Sequence, residues 1–287
     1  MKASLNEDKQ VVISKDKLPT KAKISLREHA GEGTENITAK DQKLPILKLL
    51  HSSSPVLEEG NPMFNEKARA GDIYNEVSQT LYGKTILAVP CHYINTYNEW
   101  APKGQGVGRP TIHLKESIMD QCKKSDQDNK DYLPNGNYVE DTGNHFCYIV
   151  DEKTYEPLES VLITMKMSQK SKSKGWNSTL NNKTKTDDLG SYIPPSWSSV
   201  YKLSSIKEEN TKEGYKWHGW SITFDKWLDE NKDAHVLEKT KGFYETVSQN
   251  DIFGKVDFEA EMDEQDSKVS KQKKPAQVTA NTQDDPF

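Results

Sequence analysis

The chain has 287 residues with only 33% hydrophobic residues and a formal net charge of −5. That length can bury a real core, yet the lean apolar content calls for polar loops or tails. No apolar run reaches the roughly 18 residues of a membrane span, no apolar stretch opens the chain as a secretory signal would, and three cysteines (Cys91, Cys122, Cys147) build no disulfide framework, so a cytoplasmic protein with reduced thiols is expected.

Residues 1–43 carry 9 Lys/Arg against 7 Asp/Glu and lack sustained periodicity. They read as a flexible N-terminal extension. Order begins at Leu44, and residues 44–250 are expected to form the folded core.

Ile73 to Tyr82 reads as a small hairpin, and a long strand follows from Thr85 through Tyr93 toward Trp100. Pro90 lacks an amide hydrogen, so it predicts a bulge or an edge there. Residues 101–143 are polar and glycine-containing and read as a long inserted loop with a short helix near Ser117–Lys123. His145 to Val150 is a short β-rich run. Leu158 to Met167 puts Val161, Ile163 and Met165 on one face. Ser168 to Asn182 is expected to be helical. Ser199 to Ile206 alternates with Tyr201 and Leu203 on one face. Tyr215 to Phe224 puts Trp220, Ile222 and Phe224 on one face and Tyr215 and Trp217 on the other. A last helix falls within 226–249, with Leu237, Tyr244 and Val247 at near-helical spacing. The order is mainly β, five strands with a helix between the third and fourth, and it predicts an OB-like Greek-key barrel. A ferredoxin-like or irregular sandwich arrangement is the alternative.

Two segments carry functional signals. Val161 to Thr186 contains Lys166, Lys170, Lys172, Lys174, Lys183 and Lys185, with no Asp or Glu, and Trp176 sits among Ser168, Ser171, Ser173 and Asn177. Ammonium groups neutralise phosphates, hydroxyls and amides bond to phosphate oxygens, and an indole can stack on a base. The competing reading is a solvated lysine-rich helix with Trp176 as its packing anchor. Tyr97, Trp100, Tyr192, Trp197, Tyr215 and Trp217 extend the set of candidate stacking rings, and Lys103 and Arg109 in the long loop could cover a bound strand. For any one ring the core is the competing assignment; Trp220, by its face, belongs there.

The second signal is residues 251–287. They carry five Lys and nine Asp/Glu, including six carboxylates within 257–266, and end Asp284-Asp285-Pro286-Phe287. This composition predicts a disordered polyanion whose tip docks on a basic-rimmed apolar pocket of a partner and competes with nucleic acid for the protein's own groove.

That tip resembles the C-terminal tip of single-stranded DNA-binding proteins of bacteria and phages. In the core, Val89-Pro90-Cys91-His92-Tyr93 leading to Glu99-Trp100, and Pro194-Pro195 leading to Val200-Tyr201-Lys202-Leu203, resemble tailed-phage single-stranded DNA-binding proteins. The resemblance implies an OB-like core that coats single strands during phage replication and recombination, in the host cytoplasm, and an acidic tail that recruits replication or recombination proteins. The sequence also admits a homodimer.

Other patterns point to no catalysis. Asp141-Thr142-Gly143 matches the aspartic-protease tripeptide, but its surroundings read as a turn. Gly104 to Arg109 lacks a strand–loop–helix setting and a Gly-Lys-Ser/Thr ending. Cys91, His92, His113, Cys122, His145 and Cys147 contain no Cys-x2-Cys pair, so neither a metal nor another cofactor is expected, and Cys91 and Cys147 read as core. Two rival functions stand. One is an interaction protein acting through its acidic tail. The other is an accessory component of a nucleic-acid-processing enzyme, which would need a carboxylate cluster such as Asp120, Asp126, Asp128, Asp131, Glu140 and Asp141 to hold metal.

Overall fold

The computed structural model describes residues 28–29, 31–37, 43, 45–102, 104–105, 108–210 and 214–249, with the Tyr215 side chain excepted. Two units are distinguished, 1–42 and 43–287. What is described of the first is a set of turns, such as the one closed by the Glu32 amide on the His29 carbonyl at 3.2 Å.

The second unit is mainly β. Its strands are β1 (Ile46–Leu49), β2 (Ile73–Asn75), β3 (Leu81–Gly83), β4 (Thr85–Trp100), β5 (Thr111–His113), β6 (Lys123–Lys124), β7 (Asp131–Tyr132), β8 (Tyr138–Val150) and β9 (Pro157–Met165). Helix α1 (Lys170–Asn182) follows, then the hairpin β10 (Lys185–Asp187) and β11 (Gly190–Tyr192), the long pair β12 (Ser199–Asn210) and β13 (Tyr215–Trp227), and helix α2 (Ala234–Gln249).

One sheet runs in the order β13-β12-β4-β8-β9-β1-β2-β3, with β5 beside β4 and β6–β7 beside β8. Every pairing is antiparallel except β1 with β9. The sheet curls into a half-barrel. Among the described residues no ladder joins β9 to β13, and β1 occupies the outer edge of β9. The β13 edge is met by other groups. Gln169, just before α1, accepts the Trp220 amide at 2.8 Å through Oε1. On the same strand His218 lies so close to Gly71 that a Cβ there would overlap its imidazole; Gly71 also has φ +82°.

Helices cover both faces of the sheet. Toward α1 point Ile86, Ala88, Ile149, Val161, Ile163, Met165, Tyr201, Leu203 and Trp220, packed on Trp176 and Leu180. The opposite face packs Leu87, Val89, Val150, Val200, Phe146 and Leu162 against Val236, Leu237, Phe243 and Val247 of α2. Two buried faces explain why Thr85–Cys91 and Phe146–Val150 are nearly continuous apolar runs instead of alternating ones. The Pro90 expectation holds as a register shift between Pro90 and His92.

Two expectations are corrected. The segment after β4 is shorter and more structured than a loop over 101–143: a 3₁₀ turn over Glu116–Gln121 and strands β5 to β7 fold back, with Ile118, Met119 and Cys122 packed on Tyr97, Leu133 and Val139. Asp141-Thr142-Gly143 is not a turn but the interior of β8, paired with Tyr97, Thr96 and Asn95. Gly143 is needed there because a Cβ would overlap Ser173 Oγ on α1.

Candidate nucleic-acid interface

Helix α1 has a wholly polar surface around one apolar stripe. Ser173, Trp176 and Leu180, at helical spacing, face the sheet. Trp176 is 2% exposed, with its ring stacked on His145 at 4.4 Å and edge-on to Tyr201 at 5.5 Å. His145 Nε2 lies 2.8 Å from Ser173 Oγ, and its ring meets Tyr93 at 4.8 Å. Burial, reinforced by the Lys170 charge, pulls the His145 pKa down to about 3, so the ring is neutral. The rings continue from Tyr201 to Phe224 (5.6 Å) and Trp227 (5.0 Å), forming a chain across the half-barrel.

This packing corrects the stacking assignments for three rings. Trp176 and Trp100 are each 2% exposed and Tyr97 is 8% exposed, so none offers a face to a base. Trp100 instead donates its indole N–H to Glu140 at 2.9 Å. For Trp176 the packing-anchor reading is the one that fits.

The lysines separate by helix face. Lys172 and Lys183 lie on the flank toward β12 and β13. Lys172 pairs with Glu208 at 3.0 Å, and the Lys183 ammonium sits 3.9 Å from the centroid of the Phe224 ring. Glu208 also accepts the Trp217 indole N–H at 2.7 Å and a bond from Gln169 at 2.8 Å. Burial pushes the Glu208 carboxyl up, but these bonds outweigh it and hold it below the usual carboxylate value. Lys170 and Lys174 lie on the other flank with Asn177 and Asn181, at i, i+4, i+7 and i+11. Lys170 bonds Asp141 at 2.5 Å and also Asn95, while exposed Lys174 has no ion-pair partner among the described residues. Lys166, before the helix, pairs with Glu140 at 3.3 Å. The acid-free window is thus acid-free along the chain only. In space, β8 and β12 bring Glu140, Asp141 and Glu208 to three of its six lysines.

Beside the second flank lies a cleft of about 320 Å³, lined by Pro90, His92, Tyr93, Asn177, Asn181 and Ser196, with His145 and Leu180 at its base. It opens where β12 leaves β4 after the Tyr201–Ala88 pair. Its wall is uncharged and rich in amide, hydroxyl and ring groups. Asn177 was among the amides the sequence singled out, whereas Tyr93 and Asn181 were missed as site residues; the 4-3-4 spacing from Lys170 to Asn181 is the signal that could have found the second amide.

A second cleft, of about 300 Å³, lies between hairpin β10–β11 and α2 and holds Lys185, Tyr192, Trp197 and Trp227. The remaining candidates are scattered. Arg109 is exposed on the β4–β8 connection, and Trp217 is half-buried on β13. Lys103, the Tyr215 side chain and the terminal Asp284, Asp285, Pro286 and Phe287 lie outside the described residues, as do residues 251–287 as a whole.

No curated protein and no solved structure matches the chain at a significant level. A family model described as Pam3 phage gp34-like protein matches residues 14–252, which takes in both helices and the whole curled sheet. The chain therefore belongs to the Pam3 phage gp34-like family.

Proposed function

We propose that this protein binds single-stranded DNA along the α1 flank that carries Lys170, Lys174, Asn177 and Asn181. The observation that carries the reading is the alignment of this stripe with an uncharged cleft containing the half-buried Tyr93 ring. Lys174 meets phosphate, the two amides bond phosphate or base edges, and Tyr93 offers a ring edge to an unstacked base. The half-barrel itself is read as an OB-like core, in which β4, β8, β9, β12 and β13 are the five strands. The meander β4-β8-β9, the helix that follows it, and the return of β12 beside β4 support this. The role read for this chain is coating strands during phage replication and recombination, with which a phage family is compatible, and the acidic segment 257–266 and Asp284–Phe287 are read as recruiting partner proteins.

A second reading, an interaction protein with no strand contact, draws on the ion pairs that engage Lys166, Lys170 and Lys172. One experiment separates the two. Labelled oligo-dT is titrated with the full chain at low and moderate salt, with duplex DNA as competitor. Tight, salt-sensitive binding that duplex cannot displace supports the strand-binding reading. No binding by the full chain, and none after removal of residues 257–287, selects the interaction protein.

A further inference from the structure

We propose that the cleft between hairpin β10–β11 and α2 docks a short segment of another protein presenting an apolar side chain beside an arginine or lysine. Its wall is apolar: Tyr192, Pro195, Trp197, Trp227, Leu228 and Leu237 enclose about 300 Å³. Its mouth is different in charge from the α1 flank. Glu230 and Glu238 line it, are exposed, and have no ion-pair partner among the described residues. The two lysines of the mouth are already attended by acids. Lys241 faces Glu245 at 3.8 Å, and Lys185 lies close enough to Asp229 to help its backbone amide bonds hold that carboxyl down. A phosphate backbone entering here meets Asp229, Glu230, Glu238 and Glu245, whereas a cationic side chain meets two uncompensated carboxylates and indole faces.

The apolar surface continues beyond the cleft. Leu189 at the hairpin tip is 97% exposed, and Ile193 at its base is 55% exposed. Among the described residues, hairpin strands β10 and β11 pair only with each other. An exposed aliphatic tip beside an aromatic pocket marks an interaction surface more than a solvated loop.

The test uses the full chain as bait for a random 12-residue peptide library, followed by anisotropy titration of the enriched peptide. The expected consensus joins a large apolar residue to Arg or Lys. The double variant Glu230→Gln/Glu238→Gln, at two exposed positions and without introducing cations that would attract phosphate, should weaken the peptide about tenfold and leave oligo-dT binding unchanged. No enrichment, a consensus without basic residues, or equal affinity for the double variant overturns the proposal. Displacement of the peptide by oligo-dT would assign the cleft to the nucleic acid instead. A dimer in sedimentation that Leu189→Glu dissociates would assign it to a second copy. Because the double variant leaves the α1 flank untouched, this outcome is independent of whether the chain binds single strands.

Discussion

Replacing Gly143 by alanine tests whether the polar centre of β8 positions α1. The new Cβ would overlap Ser173 Oγ and stand 3.2 Å from Ser173 Cβ and 3.3 Å from Tyr93 Cε2. Ser173 is fully buried, so the helix must move or the serine must turn. Overpacking of this kind costs about 1–3 kcal/mol. If Ser173 also releases His145, a buried ring nitrogen loses its partner, worth a further ~1–3 kcal/mol. The combined loss, about 2–6 kcal/mol, corresponds to a melting temperature lower by roughly 4–24 °C in a domain of this size. The assay is thermal and urea unfolding of four proteins: wild type, Gly143→Ala, Ser173→Ala and the double variant. Ser173→Ala removes the overlapping oxygen, so in that background Gly143→Ala should cost less by about 1 kcal/mol or more. Equal costs in both backgrounds would refute the contact as the cause, and a wild-type-like Gly143→Ala would refute the packing itself.

Lys174→Ala should weaken oligo-dT binding and lower the slope of log affinity against log salt by about 0.7, measured by titration across a salt series; an unchanged slope removes Lys174 from the interface. Lys166→Ala should act on stability, because it leaves the buried Glu140 carboxylate with the Trp100 N–H but without its cation. A loss of order 3 kcal/mol in urea unfolding is expected, recovered in part by Glu140→Gln. The folded chain keeps His145 neutral down to about pH 3 while the unfolded chain protonates it near 6.5. Its contribution is therefore complete above pH 6.5 and falls by about 1.4 kcal/mol for each pH unit below that, until the folded value is reached. His92 and His218, also shifted down by burial, add to the same trend. His145→Phe, which keeps a ring between Tyr93 and Trp176, should flatten the dependence of unfolding free energy on pH between 6.5 and 4.5.

Where an apolar pattern exists, it identified its element. Val161, Ile163 and Met165 share one face of β9, Tyr201 and Leu203 one face of β12, and Trp220, Ile222 and Phe224 one face of β13, because side chains alternate along any strand and only one set could reach α1. The bulge at Pro90 was legible for a local reason as well, since a proline cannot donate to the ladder. The outer half of β8 was not legible. Glu140–Gly143 read as loop because it is polar, yet it pairs in register with Asn95–Asn98, the stretch read as a strand continuing toward Trp100, and the two strands bury Thr96, Asn98, Thr142 and Asn144. Their hydrogen bonds run across strands, as from Asn144 Nδ2 to Thr96 Oγ1 at 2.9 Å, and no local pattern announces such a partner.

The candidate site divides along the same line. Composition and spacing alone determined that lysines and amides share a helix that follows the third long strand. Which of those lysines face solvent was decided by tertiary structure, because charge in a sequence window says nothing of the acids that other strands bring alongside. Glu140, Asp141 and Glu208 come from β8 and β12, and they leave Lys174 exposed while engaging Lys166, Lys170 and Lys172. Only the fold could place Trp100 and Trp176 in the core, since an indole reads the same in a sequence whether its face meets a base or, as Trp176 does, a buried histidine.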